Sequence, residues 1–206
     1  MPLSLTPLCG QEFITKVLQG ERDFRQIQLE RSFDFTAAEG YSSLLRYLER
    51  NSRQKLLLTD SELRHIRAPG MLLPRLDGER VNLESSYLVE AQFEEADLSQ
   101  FCFRGADLTG AHFGGAQLSQ AILEQAVLVN SYMDGADLAE ANLKKARLHG
   151  SSWEEASLSR ADLRGVRGLE YCQHLESVTW EETVVSSKER DCLRRILEKG
   201  RFVVRE

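Results

Sequence analysis

Residues 91–110 read AQFEE (91–95), ADLSQ (96–100), FCFRG (101–105) and ADLTG (106–110). The same five-residue unit continues in both directions, from Val81 to Gly165, 17 times without a gap. Its third position is always large and apolar: 13 Leu or Met, 3 Phe and Trp153. Its first position is Ala in 12 units and Ser in 3, with only Val81 and Phe101 larger. The other positions are mostly polar. A fixed period of this kind outranks local propensity as a guide to the fold.

A period of five matches neither the 3.6 of a helix nor the 2 of a strand, so neither holds these residues on one face. A chain that turns a corner once per unit does. Positions one and three then point inward from a short extended segment, and positions four and five make the corner. Gly105, Gly110, Gly114, Gly115, Gly135, Gly150 and Gly165 fall there, where permissive backbone is needed. The bulkiest centres show how many units close a turn. Phe93, Phe113, Met133 and Trp153 are 20 residues apart, so four units per coil stack them in one column. Glu84, Arg104, Glu124 and Lys144 share that spacing and predict an outer ladder of alternating charge, its rungs about 4.8 Å apart.

The units ADLSQ, ADLTG, ADLAE, ANLKK and ADLRG resemble the A(D/N)LXX pattern of the pentapeptide-repeat family. The resemblance implies an all-β solenoid, a right-handed quadrilateral β-helix of about four to six coils. It implies no catalytic residue. Members of that family include DNA mimics that bind DNA gyrase, proteins of cyanobacterial differentiation and bacterial effectors. The resemblance therefore implies a bacterial, cyanobacterial-like protein that is not an enzyme.

The flanks are expected to carry helices. Residues 1–21 read as an N-terminal cap with a helix over 7–19, capped by Thr6, with Phe13, Ile14, Val17 and Leu18 as its stripe. Residues 22–35 read as degenerate first repeats around Phe24, Ile27, Leu29, Phe33 and Phe35, in a register separate from the main run. Residues 36–60 read as a helical insertion, helical over 37–53, opened by a Thr36–Glu39 capping box and carrying Tyr41, Leu44, Leu45 and Leu48. Residues 61–80 form an irregular coil, with Pro69 and Pro74 at corners. The regular β-helix occupies 81–168. Residues 169–206 are a C-terminal cap, with a helix over 188–199 capped by Ser187, Gly200 past its end, and Phe202, Val203 and Val204 closing the chain. Solenoid ends expose core and strand edges, which such caps cover.

Composition narrows the function. The 206-residue chain has a formal net charge of −6 and no Lys/Arg-rich run, so direct nucleic-acid binding is not expected. No apolar run approaches a membrane span, and the first residues lack a secretory pattern. Four scattered cysteines without a CxxC fit reduced thiols and a cytoplasmic location. His112 and His149 belong to different faces, and the lone Cys172–His174 pair lacks further ligands, so neither metal nor cofactor is expected. Asp97, Asp137 and Asp162 share position two, which points to bonding at the tight turns rather than to acid–base chemistry.

Two surfaces stand out. Residues 81–140 carry ten carboxylates against Arg104 alone, whereas residues 141–165 carry five cations against three carboxylates. Glu94, Glu95, Asp134 and Asp137 are candidates for an acidic surface that mimics DNA and binds gyrase or another topoisomerase. Ile122, Val127 and Val129 are expected to stand outward around one coil, with Tyr87 and Val89 two coils earlier on the wall of Val127. These apolar residues are the candidate contact for an unidentified protein partner. The expectation is a protein-interaction or scaffold module, monomeric or weakly dimeric through a terminal cap.

Overall fold

The computed structural model describes residues 4–199. Its organising element is the five-residue unit. Positions four and five form a tight turn closed by a bond from the next unit's first N–H to the third position's carbonyl, as in Ala106 N to Phe103 O (3.0 Å). Position five is left-handed in unit after unit, whether it is Gly110 (φ 67°) or Gln125 (φ 61°). A positive φ at that place is what a type II turn demands.

Position two explains the Asp and Asn of the repeat. At several corners the side chain at position two accepts the position-four N–H of its own unit. Ser99 N donates to Asp97 Oδ1 (3.1 Å), Thr109 N to Asp107 Oδ1 (3.1 Å), Ala139 N to Asp137 Oδ1 (3.0 Å) and Lys144 N to Asn142 Oδ1 (3.1 Å). An orphaned donor is thereby satisfied at each such corner. Pro69 and Pro74 sit at position four, where a missing N–H leaves nothing unpaired in the ladder.

Successive coils join through parallel bridges between position-two residues 20 apart. Four walls result. The first runs through Leu57, Asp77, Asp97, Gln117, Asp137 and Ser157; the second through Glu62, Asn82, Cys102, Ile122, Asn142 and Asp162. The third runs through Arg67, Tyr87, Asp107, Val127, Arg147 and Arg167; the fourth through Leu72, Gln92, His112, Tyr132 and Ser152. Parallel crossovers of this kind are nearly always right-handed. On the first wall the bridges between Asp77–Glu79 (β3) and Asp97–Ser99 (β4) lengthen into a strand pair.

The interior is filled by positions one and three. Phe93, Phe113, Met133 and Trp153 are all buried in one column behind the fourth wall. The Phe93 and Phe113 rings stack at 5.2 Å and 11°. Trp153 keeps its indole N–H satisfied by donating to Ser151 Oγ (2.7 Å). Each such side chain contributes on the order of 1.5–3 kcal/mol by burial. Where Phe101 takes a first position, Gly78 makes room one coil away: a Cβ on Gly78 would stand 3.1 Å from the Phe101 ring. That exchange of large for small accommodates the odd composition of 61–80, whose pairing is regular, with bridges 62–82, 67–87 and 72–92.

The N-terminal part differs from the expected boundaries. Thr6–Leu8 is a strand (β1) paired in parallel with Ile27–Leu29 (β2), so Thr6 and Pro7 belong to no helix. The helix is Gly10–Leu18 (α1), capped by the Cys9 thiol accepting from Glu12 N. A Cβ on Gly10 would overlap the Phe33 ring, which would have to shift to admit it. Residues 22–35 do not form a separate piece. Asp23 bridges Leu57, Gln28 bridges Glu62 and Asp34 bridges Arg67, which places them on the first three walls of the same helix.

The insertion leaves the coil after the third wall. It contains a 3-10 turn at Phe35–Ala37, opened by the Asp34 carboxylate rather than by Thr36, and the helix Tyr41–Arg50 (α2). Glu39 N donates to Gln11 Oε1, so no Thr36–Glu39 box forms. The chain is back in the coil by Leu56–Leu58, earlier than residue 60, with Leu57 bridging both Asp23 and Asp77. Phe13 of α1 meets Phe24 (4.7 Å) and Phe35 (6.0 Å), so α1 plugs the open end of the core.

At the other end the fives stop but the winding does not. Ser152 bridges Gln173, Ser157 bridges Thr179 and Asp162 bridges Val184. The additional residues are absorbed by 3-10 turns at Leu169–Tyr171 and Leu175–Ser177. Leu169, Leu175 and Val178 keep the inward places. The cap beyond is the helix Ser187–Lys199 (α3), with Leu193 and Leu197 buried. Ser186 rather than Ser187 makes the capping box, its N–H donating to Glu189 Oε2 (2.9 Å) while Arg190 N reaches Ser186 O (3.0 Å). Gly200, Phe202, Val203 and Val204 lie outside the described residues.

Candidate interaction surface

A dry apolar void of about 30 Å³ lies under the N-terminal cap, lined by residues such as Phe13, Leu58, Leu63 and Phe101. Only a water-sized group would fit there, and nothing polar faces it. Among the described residues no three His, Cys, Asp or Glu converge as metal ligands, and no helix is long and apolar enough to cross a membrane. His112 is on the fourth wall, its ring tilted against Tyr132 at 4.5 Å; His149 follows the third wall, its ring tilted against Tyr171 at 4.2 Å. The Cys172 thiol donates to Leu148 O (3.3 Å), and burial pushes its pKa up to about 11. A thiol so far from ionising is a poor nucleophile.

The candidate apolar residues all stand at outward positions, half-buried. Ile122 is on the second wall between Cys102 and Asn142. Val127 is on the third wall between Asp107 and Arg147, and Val129 lies two residues further along the same unit. Tyr87 and Val89 share the third wall but are separated from the valines by Asp107 and Thr109, which bond to each other (2.7 Å). The Tyr87 ring is already covered by the Arg67 guanidinium at 4.1 Å. The structure thus groups Val127 and Val129, sets Ile122 one corner away, and keeps Tyr87 and Val89 as a separate patch.

The candidate acids lie along the edge between the fourth and first walls. Glu94 and Glu95 occupy one corner and Asp134 the corner two coils on, while Gly114 and Gly115 stand between them without side chains. Asp134 accepts from Ser152 Oγ (2.6 Å) and Glu154 N (2.9 Å), and Asp137 from Ser119 Oγ (3.2 Å). Glu95 pairs with Arg75 (3.6 Å). Asp134, Asp137 and Glu95 are thus engaged by neighbouring coils, and the stripe is interrupted at Gly114–Gly115.

Elsewhere charge is matched along the axis. Arg64 faces Glu84 (3.9 Å) and Arg104 faces Glu124 (2.9 Å), as the 20-residue ladder predicts. Lys144 turns instead to Asp162 (3.1 Å). Asp162 is held down to about pKa 2, first by the Arg164 guanidinium and then by Lys144. The sequence reading passes over Arg147 and Arg167, which face each other directly on the third wall. Their spacing of 20 residues is the signal that marks them.

The family model described as pentapeptide repeats matches residues 79–115, 111–150 and 141–167, in 8 copies. Among solved structures, the chain is similar to a pentapeptide-repeat protein of the Arabidopsis thaliana thylakoid lumen, with 22% identity, 56% of this chain and 72% of that one covered, and a TM-score of 0.36. It is similar to Rfr23 from the cyanobacterium Cyanothece 51142, with 24% identity, 59% and 88% covered, and a TM-score of 0.31. It is also similar to full-length QnrB1, a plasmid-mediated fluoroquinolone resistance protein, with 15% identity, 71% and 90% covered, and a TM-score of 0.36. No curated protein matches the chain.

Proposed function

Because the chain belongs to the pentapeptide-repeat family, with residues 79–167 as its repeat array, we propose that it is a non-catalytic protein-interaction or scaffold module. The observation that carries this reading is the group Ile122, Val127 and Val129. These side chains stand outward on walls whose position-two residues are otherwise mostly polar, and they do not fill the core. Apolar groups held in water on a rigid frame gain by being covered, and parallel strands stacked on both sides hold them in place without an entropic cost on binding.

The test separates folding from docking. The variant Ile122→Ser/Val127→Thr/Val129→Thr alters no charge and no inward position. Surface changes of this kind stay within about 0.5 kcal/mol of the parent stability, whereas truncating a docking anchor costs more than about 1 kcal/mol of binding. The expected result is an unchanged melting temperature with weaker capture of a protein partner from the native cell. Unchanged capture by the triple variant removes these residues as the contact.

A further inference from the structure

Charge on the third wall is arranged unlike charge elsewhere on the solenoid. Cross-coil neighbours in this solenoid are matched in sign at many places. Asp34 meets Arg67 (3.7 Å), Asp60 meets Arg80 (2.6 Å), Arg75 meets Glu95 (3.6 Å) and Glu140 meets Arg160 (3.8 Å). Opposite charges stacked this way stabilise a ladder, and like charges in the same place destabilise it. Arg147 and Arg167 break the pattern. They are direct bridge partners on the third wall, both exposed, and among the described residues neither guanidinium has a carboxylate within ion-pair distance.

The nearby charges do not relieve them. Lys145, at the corner leading onto this wall, is exposed and also lacks an ion pair among the described residues. Asp162, the carboxylate of the adjoining wall, is already shared by Lys144 (3.1 Å) and Arg164 (2.6 Å). The other like-charged bridge, Asp77 with Asp97, is treated differently: Lys55 lies 3.1 Å from Asp77, and Asp97 accepts Ser99 N. The fold therefore compensates its stacked acids from within and leaves its stacked arginines open.

Those arginines adjoin the apolar candidates. Val127 is the bridge partner of Arg147 on the other side, so Val127, Arg147 and Arg167 are consecutive along one wall. We propose that this segment, with Lys145, is a docking site for an acidic segment of a protein partner, its carboxylates on Arg147 and Arg167 and its apolar side chains on Val127 and Val129. This rests on the docking reading above and names the partner's chemistry. Guanidinium groups suit the choice, since their planar forks pair two-pronged with carboxylates. A nucleic acid is disfavoured by the same page. The basic segment is bounded by Asp107 on its own wall, and the chain carries a net charge of −6. A polyanion needs a basic track along its backbone, and its affinity comes from the number of phosphates neutralised.

The decisive variant is Arg167→Glu, which replaces a like pair by an opposite one. The probe is a fluorescein-labelled synthetic peptide of alternating Glu and Leu, followed by anisotropy at low and at moderate salt. Labelled oligothymidine and a Lys/Leu peptide are measured beside it. The expected result is that the Glu/Leu peptide binds the parent protein more tightly than either control. Arg167→Glu should weaken that binding by at least about tenfold, as for a desolvated charge contact, while its melting temperature holds or rises. Equal peptide binding by the two proteins overturns the proposal. So does oligothymidine binding as tightly as the peptide, which makes the site a general polyanion site, or a melting temperature lowered by several degrees, which makes the arginine structural. Capture of the native partner separates the two readings. Loss in the Ile122/Val127/Val129 variant but not in Arg167→Glu overturns the acidic partner and keeps the docking surface. Loss in neither overturns the docking surface itself.

Discussion

At the scale of single residues, the fold depends on what happens at position five. The left-handed corner there favours Gly but is also occupied by Asp60, His65, Glu95, Gln125 and Lys145, all near φ 60°. An L residue in this region costs about 1–2 kcal/mol, and the array tolerates it because bonds to neighbouring coils over-determine the turn. Two glycines separate conformational cost from steric cost. Gly70 has φ 65° and open space where a Cβ would go. Gly168 has φ 83° and would place its Cβ 2.8 Å from His149 N, a backbone atom that cannot step aside. Gly70→Ala is expected to cost about 1 kcal/mol, near the low end of the left-handed penalty. Gly168→Ala is expected to cost about 1–3 kcal/mol more, as overpacking does. Urea unfolding of the pair measures the difference, and equal losses would show that the third-wall coils do not approach so closely.

At the scale of elements, the two ends solve one problem by different means. A bare coil presents core side chains and unpaired strand edges. At the N-terminal end, β1 pairs with β2 and α1 seats Phe13 on Phe24 and Phe35, while α2 packs against α1. At the C-terminal end, α3 places Leu193 and Leu197 against the irregular last turn that contains Leu169 and Leu175. The buried Glu189 carboxylate ties the start of α3 to Ser186 N and Ser186 Oγ. Ending the chain at Ser186 removes this cover. The shortened protein is expected to self-associate or aggregate and to melt at a lower temperature. A truncation that stays monomeric by sizing and melts like the full chain would show that the last turn closes the rod unaided.

At the scale of the whole molecule, charge is distributed by edge. Carboxylates gather where the fourth wall meets the first, and the uncompensated cations gather toward the C-terminal end of the third wall. Mimicry of duplex DNA would require acidic surface continued along the rod, and here the stripe is interrupted at Gly114–Gly115 while Asp134 and Asp137 are bonded by adjacent coils. The expected outcome of a gyrase supercoiling assay is no inhibition, even with the protein in large excess. Inhibition that disappears on charge reversal at Glu94, Glu95, Asp134 and Asp137, with folding retained, would instead establish the acidic edge as the working surface.

Several of these features are written in the sequence and several are not, and the division has a physical cause. The five-residue period, the inward pairs such as Ala96 and Leu98, the glycine corners and the Phe93–Trp153 column follow from the chain alone. Each comes from events within one unit or from a strict repeat of units: alternation along a short strand, a turn bond spanning three residues, bulk recurring every 20 residues. Asp97, Asp107 and Asp137 are equally local, each accepting a bond two residues on. The breaks in the period are another matter. Residues 22–35 belong to the same helix because Asp23, Gln28 and Asp34 bridge residues 33 or 34 positions away, across an insertion of arbitrary length. Backbone bridges of that kind form irrespective of side chains, so no pattern in residues announces them. The same holds for Gln173, Thr179 and Val184, which extend the coil beyond the last regular unit. Tertiary structure also decided which outward residues became neighbours. It set Asp107 and Thr109 between Tyr87 and Val127, and it left Arg147 against Arg167 with Asp162 of the adjoining wall already engaged, because ion pairing depends on where side chains end and not on where they are numbered.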